Sequence, residues 1–361
     1  MRDGKSSWCY IDEKGEVKKM IETLKNLCAL SGVSGDEGEV RDHIISLIKG
    51  HADEVVTDVM GNVIVFKKGA KAPAKNIVLC AHMDEVGVIV TGITDDGYLK
   101  FATVGSVDDR VVVGKGVTLG KQRVLGVVGC KAIHLVKEKD REKTLDIDEL
   151  YIDIGAGSRE EAGKYVLPGD TGAFDAEIRE FGDGYIKAKA IDDRFGCAVL
   201  IELIRSELLP IDCQFTFSVQ EEVGLRGAHT AAYRTAPDIA LIIEGTSAAD
   251  IPSVTEFKKV CKIGKGAVIP FMDRGTIYDR ELFKILTGIA DKNDIPWQTK
   301  SVVAGATDGA AFQRSRAGVK TVGIAAPVRN LHSPSCVAKI TDLEAVYNLS
   351  RLFIEEMGSA Y

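Results

Sequence analysis

Apolar residues recur at helical spacing near the start of the chain and at strand spacing soon afterwards. Between residues 17 and 34 they repeat at steps of three and four, which predicts an amphipathic helix that the Ser-Gly cluster at 31–35 ends. A second helix is predicted from about residue 37 to 48, followed by short apolar strands, one of which reads NIVLCAHM. After residue 184 helices and strands alternate, which favours an α/β core with a mixed or parallel sheet.

The middle of the chain has a different pattern. Across residues 89–181, apolar runs with a period near two are broken by glycines, which is typical of a small β-barrel or sandwich. We therefore predict a mixed-sheet α/β core formed by residues 17–88 and 182–361, with a β-rich, barrel-like domain inserted at 89–181. Residues 1–16 are polar and unpatterned, and we interpret them as an N-terminal extension.

Composition excludes several classes of protein. The 361 residues are 45% hydrophobic and 27% charged, which is ordinary for a globular protein and excludes disorder. The net charge of −7 argues against nucleic acid as the main partner. No apolar stretch approaches the roughly 18 residues of a membrane span, and the N-terminus lacks the apolar segment of a secretory signal, so we expect a cytoplasmic protein with no membrane partner.

Histidine and carboxylate residues follow several of the predicted strands. In CAHMDEVG, His82 and Asp84 follow an apolar strand. A metal-binding histidine needs its second ring nitrogen held by a carboxylate or carbonyl, which Asp84 can supply, although a polar strand end is the simpler interpretation of this segment alone. In AIDDRFGCAVL, Asp192 and Asp193 stand where a strand meets a helix, so a helix N-cap is an alternative.

The sharpest signal is SVQEEVGLRGA. Glu221 and Glu222 are adjacent at a strand end, where burial of both is costly unless a cation or proton neutralises them; a solvated acidic turn is the alternative. Glu244 follows four apolar residues. It lies either at the sheet edge where open α/β sheets bind ligands or at the start of a helix. His332 lies past a late strand and is either a ligand or an ordinary loop histidine.

All these clusters lie at the carboxyl ends of predicted strands, so we expect them to meet. One metal ion needs about three or four protein ligands, and two histidines with four or five carboxylates suit two ions that share a bridging carboxylate. Two ions about 3.5–4 Å apart can clamp a hydrolytic water, and a remaining carboxylate can act as general base. The pattern therefore predicts a dinuclear metal-dependent hydrolase.

The four strings H-x-D-E-V-G, D-D-R-x-G-C-A-V-L, V-Q-E-E-V-G-L-R-G-A and R-x-x-H-S-P together resemble the dinuclear-metal aminopeptidases. This family includes bacterial glutamyl aminopeptidase and the archaeal tetrahedral (TET) aminopeptidases, and some relatives carry an endoglucanase label. The resemblance covers about residues 18–357, and its most specific string is Q-E-E-V-G-L-R-G-A. It implies an α/β metallopeptidase core whose β-rich insert is a dimerisation domain, in a homo-oligomer that is dimer-based and can reach a dodecamer.

The resemblance also implies a set of metal ligands for two divalent ions, Zn²⁺ or Co²⁺ with Mn²⁺ as a further option. Asp192 would bridge the two ions, and such sites often have a cis peptide bond after the bridging aspartate. Glu244 stands where the family commonly has Asp, so its longer side chain would shift the ligand by about one methylene. The implied ligands are His82, Asp192, Glu222, Glu244 and His332.

Catalytic roles follow from the same resemblance. Glu221 would be the general base and Asp84 would orient the first histidine, while Thr307, Asp308 and Gly309 in the segment GATDGAAF would line the substrate pocket. The activity implied is removal of N-terminal residues from short peptides.

Other functions compatible with the sequence are a metal-dependent deacylase or deblocking amidase, an endoglucanase, and a non-catalytic oligomeric scaffold. An endoglucanase needs two carboxylates flanking a glycosidic bond, which would leave the two histidines without a role. Only the departure at Glu244 favours a scaffold. An acidic substrate side chain would require a basic residue in the pocket, and the spacing does not choose among the candidates Arg274, Lys265, Arg314 and Arg329.

Overall fold

The computed structural model describes residues 13–140 and 142–360. Helices in this part of the chain are α1 (Glu13–Cys28), α2 (Gly38–Ile48), α3 (Arg159–Ala162), α4 (Ile191–Arg205), α5 (Arg226–Thr235), α6 (Arg280–Lys292), α7 (Gly309–Gln313) and α8 (Ile340–Ala360). Strands are β1 (Glu54–Thr57), β2 (Val63–Lys67), β3 (Ile77–His82), β4 (Gly87–Ile93), β5 (Leu99–Val104), β6 (Gly116–Leu119), β7 (Val124–Gly129), β8 (Tyr151–Asp153), β9 (Thr171–Asp175), β10 (Arg179–Phe181), β11 (Tyr185–Ala188), β12 (Cys213–Ser218), β13 (Ile239–Ser247), β14 (Ala267–Val268), β15 (Trp297–Gln298), β16 (Lys320–Val328) and β17 (Cys336–Lys339).

A mixed eight-stranded sheet forms the centre of the core, in the order β1-β2-β12-β3-β13-β16-β14-β15. Its four central strands, β12, β3, β13 and β16, run parallel to one another. Every residue of β3 is buried, as expected for a parallel strand that is covered on both faces. Because these strands are parallel, their carboxyl ends meet at one edge of the sheet.

Helices cover both faces of this sheet. Leu79 on one face of β3 belongs to the apolar cluster that includes residues of α1, α4, α6 and α8. Its neighbours Val78 and Cys80 point to the opposite face and pack with Ala228 of α5 and Ala311 of α7. The alternation of neighbouring side chains along a strand therefore builds a three-layer α/β core.

The middle of the chain forms a closed barrel in the order β4-β5-β8-β7-β6-β9, with its own apolar core. The predicted fold class, a mixed-sheet α/β core with an inserted barrel-like β unit, is confirmed. The boundaries 17–88, 89–181 and 182–361 stay predictions. No helix in the part of the chain that the structure describes is long and apolar enough to cross a membrane.

The first helix differs from its predicted limits. It ends at Cys28, because the next residues bind Glu85 instead of continuing the helix: the Gly32 amide donates to Glu85 Oε1 at 3.1 Å, and Val33 forms a β-bridge with Glu85. It begins at Glu13, inside the predicted extension 1–16, of which residues 1–12 lie outside the described residues.

Candidate active site

The carboxyl edge of the central strands carries the polar residues that the sequence singles out. His82 ends β3 and is paired in register with Ser218 at the end of β12. Glu221 and Glu222 follow β12, Glu244 lies in the last part of β13, and the two remaining residues come from the start of α4 and the loop after β16. The edge thus brings together all five predicted metal ligands and the predicted base.

Asp192 lies between the two imidazoles of this site. Its Oδ1 is 3.5 Å from His82 Nε2, and its Oδ2 is 3.8 Å from His332 Nε2. His82 Nε2 is also 3.9 Å from Glu244 Oε1, and His332 Nε2 is 3.3 Å from Glu222 Oε2. Two groups of nitrogen and oxygen donors therefore share one carboxylate.

The backbone near Asp192 is shaped to place this carboxylate. The Asp192–Asp193 peptide bond is cis, as the resemblance implies. The amide of Gly245 donates to Asp192 Oδ1 at 3.1 Å, and a Cβ at Gly245 would lie 2.8–2.9 Å from Asp192 side-chain atoms, so only glycine permits this approach. Gln220 and His332 have positive φ values of 55°, a conformation that costs energy and concentrates at functional sites.

Asp84 is buried beneath the cluster and joins several of its parts. Its carboxylate accepts the hydroxyl of Ser34 at 2.6 Å and the backbone amides of Glu221 at 3.0 Å and Glu222 at 3.2 Å. Burial alone would raise the pKa of Asp84, but the neighbouring His82 and these donors lower it. Asp84 is therefore an anion under the site and a positioning residue for both glutamates.

The glutamates of the cluster are held in a strongly unfavourable environment for their charge. Burial, and then the charge of Asp192, raises the pKa of Glu222 to about 8. Burial, followed by nearby carboxylates, also raises the pKa of Glu221 and of Glu244. Glu244 Oε2 is buried and has no hydrogen-bond partner among the described residues. A cation would relieve each of these conditions.

The residues present fit divalent metal ions. His82 with Asp192 and Glu222, and His82 with Glu221 and Glu244, each offer donor atoms within 4.8 Å of one another. Imidazole nitrogen with carboxylate oxygen is a donor set that Zn²⁺ and Co²⁺ accept. The unpartnered oxygen of Glu244 is free to bind such an ion.

The sequence carries no signal for one contact between the barrel and the site. The backbone carbonyl of Ser106, in the loop after β5, lies 3.1 Å from His332 Nδ1. The preceding Gly105 has φ +81°, and a Cβ there would lie 2.7 Å from Val86 and 3.4 Å from Glu222. Since a backbone carbonyl leaves no side-chain signature, only the fold could reveal this contact.

A cavity of about 530 Å³ opens above the cluster. Of the three predicted pocket residues, Thr307 lines the cavity. Asp308 is buried and accepts a hydrogen bond from the hydroxyl of Ser218. Gly309 donates its backbone amide to Thr307 Oγ1 at 3.1 Å. Among the candidate basic residues Arg314 lines the cavity, and Lys300, which the sequence did not indicate, lines it as well.

Donors of this kind at the carboxyl edge of a parallel sheet are typical of metal-dependent hydrolases. The chain belongs to the M42 glutamyl aminopeptidase family, whose model matches residues 61–349, and it is therefore a peptide hydrolase of a family that uses divalent metal ions.

Relatives of known name agree with this assignment. A protein of Acetivibrio thermocellus, provisionally named an aminopeptidase, is 40% identical over 94% of this chain and 99% of its own length. Lysyl aminopeptidase of Pyrococcus furiosus is 33% identical over 93% of this chain and 97% of its own. A Pyrococcus horikoshii TET1 peptidase that can assemble into a tetrahedron or a large octahedral shell is 37% identical, with a TM-score of 0.82 over 92% of this chain and 98% of that structure. Because "glutamyl" and "lysyl" both occur in these names, family membership does not fix the side chain that is removed.

Proposed function

We propose that this protein is an aminopeptidase that uses two divalent metal ions to remove N-terminal residues from short peptides. The ions are Zn²⁺ or Co²⁺, and Mn²⁺ is also compatible with these ligands. The observation that carries this proposal is the position of Asp192 between His82 and His332. Asp192 with His82 and Glu244 would hold one ion, and Asp192 with Glu222 and His332 would hold the other.

Glu221 is the general base in this proposal. When bound, the two ions supply Lewis-acid polarisation of the scissile carbonyl and of the attacking water. Glu221 accepts a proton from that water as the water oxygen adds to the carbonyl carbon, and it delivers the proton to the leaving amine nitrogen as the C–N bond breaks. The hydrogen bond that the Glu221 backbone amide donates to Asp84 Oδ1 fixes the backbone of the base beneath the reacting centre. A metal ion in this position would also accept the free α-amino group of a peptide as a ligand, which favours a substrate with an unblocked N-terminus.

Glu221→Gln tests the role of the base. It should lower kcat by about 10²–10⁴-fold while metal content is unchanged, because it removes the proton acceptor and keeps the shape of the side chain. The exposed Glu54→Gln, at the far edge of the sheet, serves as the matched control. A kcat within a few fold of the parent would exclude Glu221 as the base.

A substrate panel tests the activity itself. Protein stripped with a chelator and reloaded with Co²⁺, Zn²⁺ or Mn²⁺ should cleave aminoacyl-p-nitroanilides and leave their N-blocked counterparts intact. Cleavage of the blocked substrates would instead indicate a deacylase.

We also propose that the barrel is a dimerisation domain of a homo-oligomer, which light scattering on the purified protein would test. The cytoplasmic location stays a prediction.

A further inference from the structure

The backbone of the segment that carries Glu221 is held by side chains from the first part of the chain. This segment follows β12, which ends at Ser218. Each of its first four backbone amides donates to a side-chain oxygen: Val219 to Asn62 Oδ1 at 3.0 Å, Gln220 to Glu37 Oε1 at 3.1 Å, Glu221 to Asp84 Oδ1 at 3.0 Å and Glu222 to Asp84 Oδ2 at 3.2 Å. The course of the segment therefore depends on acceptors that lie more than a hundred residues earlier.

The carbonyl groups of the same segment close a turn. The amides of Gly224 and Leu225 both donate to the Glu221 carbonyl at 2.9 Å, and the Arg226 amide donates to the Gln220 carbonyl at 3.1 Å. Within this turn Gln220 has a φ of 55°, which is unfavourable for a residue with a Cβ. Because Gln220 directly precedes the proposed base, the group that stabilises this conformation also sets the direction of the Glu221 side chain.

Glu37 is the acceptor at this strained residue. It lies in the loop between α1 and α2 and is only 5% exposed. Its Oε1 accepts the amide of Gly35 at 2.7 Å as well as the amide of Gln220 at 3.1 Å. Burial raises the pKa of Glu37, and these two amides oppose that increase. A buried carboxyl group is costly unless it is hydrogen-bonded, so its two amide donors account for its position.

Glu37 and Asp84 support the site in different ways. Asp84 accepts the amides of both glutamates, and its Oδ1 lies 3.4 Å from His82 Nδ1, so a change there disturbs a ligand and the base together. Glu37 acts one residue before the base, and among the described residues no hydrogen bond or ion pair joins its side chain to a predicted metal ligand. A change at Glu37 therefore displaces the base and leaves the contacts of the ligand side chains in place.

We propose that Glu37 is a positioning residue for the general base, because it holds Gln220 in its left-handed conformation and so directs the Glu221 carboxylate towards the attacking water. The inference rests on the proposed aminopeptidase function, in which Glu221 is the base. Glu37 touches no substrate atom, and its effect passes through the backbone of Gln220. Since a displacement of about 1 Å can lower a rate by about 10²-fold, loss of this acceptor should lower kcat by about 10–100-fold.

Glu37→Met tests this role in the metal-loaded protein, with the aminoacyl-p-nitroanilide that the parent cleaves fastest. The methionine fills a similar volume without an acceptor, so kcat should fall by about 10–100-fold while KM and metal content stay unchanged. Glu37→Gln should keep most of the activity, because both amides bond to the same oxygen and a glutamine retains one oxygen there. Glu54→Met, at an exposed glutamate, is the matched control and should not change kcat.

A double-mutant cycle separates positioning from a general structural defect. If Glu37 acts through the base, Glu37→Met should have little further effect on kcat in the Glu221→Gln protein, in which the base is already absent. A general defect would instead lower the residual rate of Glu221→Gln by the same factor as in the parent. If Glu37→Met does not fold, Glu37→Asp takes its place in the cycle, because it keeps the charge and withdraws the acceptor by about one methylene.

The outcomes distinguish this inference from the function on which it rests. An unchanged kcat in Glu37→Met, equal factors in the two backgrounds, or the same loss in Glu37→Gln would overturn the role of Glu37, and the aminopeptidase function would stand. If the parent cleaves no free-amine substrate, or if Glu221→Gln keeps its kcat, the proposed function itself fails in its activity or in its base.

Discussion

Asp84 holds His82 by two of its oxygen atoms. Its side-chain Oδ1 lies 3.4 Å, and its backbone carbonyl 3.2 Å, from His82 Nδ1. Because Nε2 of the same ring faces Asp192 and Glu244, Nδ1 must carry the proton when Nε2 binds a cation. The Asp84 carboxylate also accepts the amide of Glu221, so one side chain fixes both a ligand and the proposed base.

Asp84→Asn should weaken metal binding without unfolding the protein. The amide keeps the size of the side chain, but it loses the negative charge that supports the Nδ1 proton of His82, and its NH2 group cannot accept the backbone amide of Glu221 or Glu222. Loss of such a partner typically lowers metal affinity by about 10–100-fold. Calorimetric titration of the metal-free protein with Zn²⁺ measures the change. Asp183→Asn, at a fully exposed carboxylate, should have no effect. Equal affinities for the two variants would show that Asp84 does not support the ligand.

Metal affinity should increase steeply with pH. The pKa of Glu222 is raised to about 8, so below that pH a cation must displace a proton from this carboxylate. Each displaced proton makes the apparent association constant rise about tenfold per pH unit, and the raised pKa of Glu244 adds to the slope. Competition with a chromophoric chelator between pH 6 and 9 should therefore show that the logarithm of the association constant rises with pH, with a slope of about one or more below pH 8. A pH-independent affinity would contradict the assignment of Glu222 as a metal ligand.

The same raised pKa determines how the stability of the metal-free protein depends on pH. Between the ordinary value of 4.5 and about 8, Glu222 holds its proton in the folded state but not in the unfolded state. The free energy of unfolding should thus be highest at low pH within this window and fall as pH rises, because the folded state binds more protons. Thermal melts of the stripped protein should show a Tm that decreases from pH 5 to 8, and Glu222→Gln should reduce that decrease.

Sequence alone predicted which residues meet at this edge of the sheet, because these residues carry local signals. His82, Glu221 and Glu244 each follow an apolar strand, and parallel strands bring their carboxyl ends together whatever lies between them in the chain. Ser106 and Lys300 have no such signal. The Ser106 carbonyl meets a residue 226 positions away, and only the packed structure shows that Lys300 lines the same cavity as the predicted ligands. The end of α1 was predicted too late for a similar reason, because the segment after the helix binds Glu85, which is 53 residues from Gly32 in the sequence.

The barrel should influence one half of the metal site through Gly105. Gly105→Ala would bring a Cβ to 2.7 Å from Val86 at a φ of +81°, so the loop that holds His332 through the Ser106 carbonyl must move. We expect the ion bound by His332 and Glu222 to bind about tenfold or more weakly, with the other ion retained. Two-site calorimetry and metal analysis at limiting Zn²⁺ would show this loss.

A matched glycine in the barrel controls for backbone strain. Gly114 has a similar φ of +75°, but no heavy atom lies within 4 Å of a Cβ built there. Gly114→Ala should therefore carry the same conformational cost and leave both metal affinities unchanged. If both variants lose the same ion, or neither does, the Ser106 contact does not position His332.

Glu85 should be essential for stability, because it compensates two buried cations. Its carboxylate lies 2.6 Å from Lys189 Nζ and 3.1 Å from Arg194 Nη2, and all three side chains are buried. Glu85→Gln keeps the volume but leaves both cations without a counter-charge, which typically costs about 3–5 kcal/mol of unfolding free energy. Urea denaturation measures the loss. Glu22→Gln removes an exposed pair with Lys25 and should cost less than about 1 kcal/mol, and a similar cost for the two variants would refute the role of Glu85.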